Sequence, residues 1–260
     1  MANESCEAGF TARLFAFHKP VITCHDLKWN WNAEMTGNPQ QWASVDEIAA
    51  EVLACERCVL ADTRTLAVPG DGSPSAAVMI IGEGPGQNED EQGLPFVGRA
   101  GKLLDKFLAE VPLRRSDVFI TNVVKCRPPG NRDPEPGEVA ACMPYLQAQI
   151  ELIDPRVIVT LGRHSMLRFY PEGKISNDHG RIIRIGRRVL LPLYHPAAIL
   201  RNPRLNEPML ADIKRIPEAV RESILIRRPN TPAPAAPLAE NKQENVSKTA
   251  DSNPGQRPLF

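Results

Sequence analysis

Four short, continuously apolar, β-branched runs at 77–81, 118–124, 157–161 and 189–194 are each bounded by turn residues and separated by helical patterns. Runs of this kind suit strands buried on both faces, as in a parallel sheet. Ser44 can cap a helix over 45–54, Gly101 leads into the helical pattern KLLDKFLAEV, residues 136–153 read as a longer helix stopping at Asp154-Pro155, and a last helix covers 208–226. Alternating strand and helix predicts an α/β fold, a three-layer α/β/α sandwich around a short, mostly parallel, four-stranded central sheet. Ligands of such sheets sit beyond the carboxyl ends of the strands. That rule singles out GEGPG after the first run, Asn122 within the second, LGRH after the third and HPAAIL after the fourth.

An apolar fraction of 42% over 260 residues is enough to bury a core, which excludes a wholly disordered chain. Lys plus Arg and Asp plus Glu balance at 31 each, so binding to a polyanion must come from local clustering. Between Arg163 and Arg215 there are eleven Lys and Arg against four Asp and Glu, a stretch that can neutralise phosphates or serve as a solvated basic face. No run of 18 apolar residues occurs, and the start MANESCEAGF is acidic where a signal peptide would be basic, so a soluble, cytoplasmic protein with no membrane partner is expected. Residues 1–43 are weakly patterned, although Trp29, Trp31 and Trp42 suggest that part of the segment docks. Residues 227–260 are rich in Pro and Ala, bury too little to offset their chain entropy, and read as a disordered tail. The folded domain is thus expected over 44–226.

Six cysteines, at 6, 24, 55, 58, 126 and 142, are too few for a disulfide scaffold of this length. Cys55 and Cys58 form a C-x2-C pair, and Cys126 and Cys142 flank a proline-rich loop and a helix start. Gathered by the fold, these four could hold zinc or an iron-sulfur cluster, between which spacing does not choose. The alternative is four ordinary buried thiols, as Cys6 and Cys24 are taken to be.

The segment GEGPGQNEDEQGLPFVGRAG (82–101) has glycines that let the backbone approach a ligand and amides that could form an anion nest. It lacks the G-x-G-x-x-G opening into a helix that a dinucleotide loop needs, and Pro85 interrupts it. It resembles instead the first motif of the family 4 uracil-DNA glycosylases. The resemblance continues in order through ITNVVKCRPPGNRDP (120–134), VIVTLGRHS (157–165) and LYHPAAILRNP (193–203), and covers about 180 residues from near Ala50. It implies a uracil-DNA glycosylase fold, a [4Fe-4S] cluster, and a DNA-repair enzyme that flips uracil out of DNA and hydrolyses its N-glycosidic bond, leaving an abasic site. Cys55, Cys58, Cys126 and Cys142 correspond to the cluster ligands, and the cluster would pin the loop from Lys125 to Cys142 without a redox step.

The same match assigns roles to single residues. Phe96, in LPFVG, corresponds to the aromatic that stacks on the base, a core phenylalanine being the alternative. Asn122 corresponds to the residue that reads the Watson-Crick edge: its amide oxygen can accept from uracil N3-H while its NH2 donates to O4, a pattern cytosine reverses. His195 can donate to uracil O2 as charge develops there. Glu83 suits stabilising the sugar cation or orienting the attacking water. Other glycosylase families carry Asp or Asn two positions further along this loop, where this chain has Pro85. Gly84 offers its amide to the base, and Glu89 would fill the space thymine's methyl needs. In Ala198-Ile199-Leu200 either Ile199 or Leu200 would be the wedge that enters the helix, with Arg201 placed for a backbone contact. The ending GQRPLF resembles a shortened sliding-clamp box through Gln256, Leu259 and Phe260, without the usual second aromatic.

The expected partner is uracil-containing DNA, single- or double-stranded, bound by a monomer. Two other readings are a covalently trapping binder of the same superfamily and an iron-sulfur electron carrier. CRPPGNRDP, in place of a basic histidine-containing insertion, disfavours the first, and the lack of a tight multi-cysteine run disfavours the second.

Overall fold

A computed structural model describes residues 41–226. Most of the N-terminal extension with Trp29 and Trp31, the tail from 227, and the Gln256, Leu259 and Phe260 box lie outside the described residues. The strands are β1 (Asp71–Gly72), β2 (Val78–Gly82), β3 (Phe119–Asn122), β4 (Val157–Leu161), β5 (Ile183–Ile185) and β6 (Arg188–Leu193), in the spatial order β1-β3-β2-β4-β6-β5. The central four are parallel, as expected. The sheet nevertheless has six strands, not four, because β1 and β5 add antiparallel at the two edges. Two-residue β1 is too short to show a pattern, and β5 joins β6 through a tight turn at Gly186, φ 58°.

The helices are α1 (Val45–Leu53), α2 (Gln87–Gln92), α3 (Arg99–Leu108), α4 (Pro136–Ile153), α5 (Arg163–Met166), α6 (Ile175–Asp178), α7 (Pro196–Arg201), α8 (Asn206–Ile213) and α9 (Ile216–Leu225). They cover both faces of the sheet, and the period-two alternation of β2 divides its side chains between two cores. Met79 and Ile81 pack with Ile48 and Val52 of α1 and Tyr145, Leu146 and Ile150 of α4. Val78 and Ile80 pack with Leu104 and Phe107 of α3, Met209 and Ile213 of α8, and Ile216 of α9. Each such fully buried side chain contributes about 1.5–3 kcal/mol.

Local signals explain the helix ends. Ser44 Oγ accepts from Glu47 N–H at 3.2 Å, capping α1, and α4 stops where Asp154 turns left-handed at φ 48°. The single helix expected over 208–226 is two helices, since Pro217 has no N–H to give Ile213. Trp42 does dock: its Nε1 donates to Glu51 Oε2 at 2.6 Å and its ring lies 5.5 Å from that of Tyr145. No described helix is long and apolar enough to cross a membrane.

Candidate active site and cysteine cage

Parallel pairing sets Gly82 beside Asn122 and Leu161 beside Leu193, so four strands end at one rim. Asn122 is the last residue of β3, Glu83 follows β2, His164 follows β4, and His195 follows β6. Asn122 is 1% exposed, and its Oδ1 is buried without a hydrogen-bond partner. An orphan acceptor of this kind costs about 1–3 kcal/mol. A Cβ on Gly82 would overlap Asn122 Oδ1 and come within 2.6 Å of Phe96 Cζ, so only glycine leaves the space that these two side chains share. Phe96 holds a left-handed backbone, φ 53°, unusual for an aromatic residue and a strain of the kind that gathers at functional sites. Arg115 fastens it, donating to Phe96 O at 3.2 Å and to Pro95 O.

The Phe96 and His195 rings lie 5.7 Å apart, inclined by 38°. His195 Nδ1 accepts from Ala197 N–H at 3.1 Å, which leaves the ring proton on Nε2. Burial, reinforced by Arg201, pulls the His195 pKa down to about 4. Near neutral pH His195 is therefore an uncharged donor.

Glu83 is half-buried, and its pKa is raised by that burial; His164 and Arg163 oppose the shift and Asp133 adds to it. His164 Nδ1 is 3.9 Å from Glu83 Oε1, and its Nε2 is 3.0 Å from Asp133 Oδ2. Glu89 has another role in the loop: its carboxylate accepts from the amides of Gly86, Val97 and Gly98 at 3.1, 2.9 and 2.8 Å, tying both arms of the segment that carries Phe96. A Cβ on Gly84 would press to 2.9 Å from Val124 Cγ2.

The two wedge candidates separate clearly. Ile199 is 4% exposed and packs in the core with Phe96 and Leu193, whereas Leu200 is 40% exposed and Arg201 lies beside it on the surface. Ile199 is thus a core residue, because α7 turns that face toward the sheet. Much of the basic stretch is paired within the fold: Arg187 and Arg188 meet Glu151 and Asp154, Arg181 meets Asp178, and Arg215 meets Glu218. Exposed cations near the rim include Arg163, Arg201 and Arg204.

Cys55, Cys58, Cys126 and Cys142 line one small cavity with Arg57, Arg64, Lys125 and Tyr145. Arg64 Nη1 donates to Cys126 Sγ at 3.1 Å, and Lys125 N–H donates to Cys142 Sγ at 3.2 Å. Among the described residues, ligand atoms of Glu83, Asp133 and His164 gather within 4.8 Å of one another. Lys125, at 1% exposure, joins cage to pocket: its Nζ donates to Asn122 O at 2.9 Å, Gln149 Oε1 at 2.7 Å and Thr121 Oγ1 at 2.5 Å. Desolvation pulls that amine down to about 7.

Lys125, Asp133 and His164 escaped the sequence reading as site residues. A lone lysine inside the apolar run VVKC was the available signal for the first, and LGRH at a strand's carboxyl end for the third.

A family model of the uracil DNA glycosylase superfamily matches residues 69–215. The chain is 47% identical over 187 residues to the type-4 uracil-DNA glycosylase of Sulfurisphaera tokodaii, covering 67% of this chain and 84% of that protein. It is 46% identical over 184 residues to the type-4 uracil-DNA glycosylase of Archaeoglobus fulgidus, covering 67% and 92%. A type-5 uracil-DNA glycosylase of Thermus thermophilus is 33% identical over 149 residues, covering 49% and 68%.

Proposed function

The chain belongs to the uracil DNA glycosylase superfamily, and from its rim geometry we propose how it works as a uracil-excising enzyme of DNA repair. The observation that carries the proposal is the unpartnered, buried Oδ1 of Asn122. An everted uracil stacked on Phe96 offers N3–H to this oxygen and O4 to the Asn122 amide, repairing on binding the defect that the free protein carries. Cytosine has a lone pair at N3, which would meet Oδ1 repulsively.

Breaking the C1′–N1 bond sends its electron pair into the uracil ring, and His195 Nε2–H donates to O2 as that charge grows. A neutral donor suits this task, because its hydrogen bond strengthens only as the oxygen becomes an anion. The oxygen of a water forms the new bond to C1′, and the proton released passes to Glu83. Gly84 offers its amide to the base, and Glu89 closes the pocket against a 5-methyl group. Eversion itself falls to Leu200 as the wedge, with Arg201 on the backbone.

Cys55, Cys58, Cys126 and Cys142 would hold the [4Fe-4S] cluster. The donor set fits such a group: four thiols face one cavity, and three of them already receive N–H bonds. When bound, the cluster would supply a cross-link between the turn after α1, the end of β3 and α4, and no redox step.

We place the enzyme in the cytoplasm as a monomer. A pull-down of a sliding clamp with and without the last five residues tests the Gln256, Leu259 and Phe260 box.

The function is tested by incubating the purified chain with single-stranded and U:G oligonucleotides and cleaving with alkali. Scission at deoxyuridine, lost in Asn122→Ala and reduced in His195→Gln, is expected. Intact strands with the wild-type protein, or scission unaffected by both substitutions, would overturn the proposal.

A further inference from the structure

Resting on the reading of Glu83 as the group that receives water's proton, we propose that His164, its ring anchored by Asp133, is a positioning residue for Glu83 and that water. Three separate elements converge to make the arrangement. Glu83 leaves β2, His164 stands in α5 just after β4, and Asp133 lies in the loop between Cys126 and Cys142. His164 presents Nε2 to Asp133 Oδ2 at 3.0 Å and Nδ1 to Glu83 Oε1 at 3.9 Å. The second distance is too long for a direct hydrogen bond and leaves room for one water held by both groups at a compressed angle.

Arg163 and Asp133 meet the same ring nitrogen of His164. Arg163 Nη2 lies 2.9 Å from His164 Nε2 and 3.8 Å from Asp133 Oδ2. A guanidinium only donates, so a neutral ring that takes the Arg163 bond on Nε2 carries its proton on Nδ1. A protonated ring gives Nε2–H to Asp133 and keeps Nδ1–H as well. In both of these states Nδ1–H points toward Glu83 and can orient a water held between them; in the remaining neutral state Nε2–H goes to Asp133 and Nδ1 accepts from that water. Asp133 belongs to a stretch tied at both ends by cage cysteines, so the stiffness of the cage reaches the catalytic carboxylate through this imidazole.

The charged groups facing Glu83 are His164 and Arg163 from α5 and Asp133 from the loop, and they act on it with different signs. Losing His164 removes an influence that lowers the Glu83 pKa; losing the charge of Asp133 removes one that raises it. A residue that merely supports the fold would not produce opposite shifts.

The test uses the full-length, cluster-containing chain on deoxyuridine oligonucleotides, with kcat and KM measured across the acidic and neutral range. His164→Gln should lower kcat about 10- to 100-fold, the effect of a misplaced reactant, with KM within about twofold, and should move the acidic limb of kcat to higher pH. Asp133→Asn, at a side chain 68% exposed, should lower the plateau less and move the limb to lower pH. Cluster absorbance equal to wild type in both variants shows that they are folded. An unchanged plateau in His164→Gln, or limbs that move the same way in the two variants, would overturn the inference. Wild-type protein that leaves deoxyuridine intact would instead sink the functional reading on which it rests.

Discussion

Asn122 and Cys126 stand four residues apart at the end of β3, yet the two regions they belong to are built in opposite ways. The pocket collects residues from the ends of four strands and keeps its polar atoms unspent: Asn122 Oδ1 has no partner, His195 is held neutral by burial, and Phe96 sits in a left-handed backbone. The cage collects residues from a turn, a loop and the long helix α4, and its sulfurs already receive bonds from Arg64 and from the Lys125 amide. On the proposed reading, the pocket gives up stability that substrate restores, whereas the cage secures the loops around it. Lys125 lies between them, its amide on the cage and its ammonium on the carbonyl of Asn122.

If that contrast is right, pocket substitutions should damage turnover and spare stability, and cage substitutions the reverse. The largest effect is expected from Asn122→Ala. Its kcat/KM on deoxyuridine should fall about a thousandfold, as sites lose specificity when a paired polar group is removed, while the melting temperature holds or rises because an orphan acceptor is gone. A calorimetric scan beside the kinetics reads both. His195→Gln comes next, with kcat down about a hundredfold, the usual cost of one donor to a developing oxyanion.

His195 also makes a prediction about pH. With a folded-state pKa of about 4 against an ordinary 6.5, the folded protein binds fewer protons than the unfolded chain between those values. Stability should therefore fall as pH drops from 6.5 toward 4, and denaturant titrations of His195→Gln should show a shallower fall. No limb from His195 should appear in the rate profile between about pH 5 and 8.

Cys142→Ala tests the other half of the contrast. It should abolish the visible absorbance of the cluster and lower the melting temperature by roughly 10 °C, taking several kcal/mol for a lost cross-link at 2–4 °C each. Excision at 25 °C should fall less than tenfold. The smallest effect belongs to Leu200→Ala, expected to slow excision from duplex DNA about threefold to tenfold and to leave single-stranded substrate untouched, because only a duplex must be opened. Equal losses on both substrates would remove Leu200 from the wedge role.

How much of this could be read before folding depends on how local each signal is. β4 and α4 occupy the runs the sequence marks, since both are long, uniformly patterned and sharply ended by Gly162 and Asp154. The edge strands were invisible because pairing partners decide them: Asp71–Gly72 is a strand only through its contact with Phe119 and Ile120. The motif residues Glu83, Asn122 and His195 were legible from the rule about strand ends, and the fold brings all three to one rim. The same rule marked His164 only as part of LGRH, and Asp133 not at all, because their contact joins residues 31 positions apart through a loop path that no pattern encodes. Lys125 was masked by the apolar run around it, where an amine stays buried because three oxygens accept from it.

The central claim is that Asn122 Oδ1 waits for the N3 proton of uracil. It is tested most directly by a nitrogen-filtered proton NMR spectrum of 15N-labelled uracil bound to the protein together with abasic DNA. The account predicts an N3 imino proton shifted downfield and protected from exchange with the wild-type protein, and neither shifted nor protected with Asn122→Ala. An imino proton that exchanges freely while uracil stays bound to the wild-type protein would contradict it.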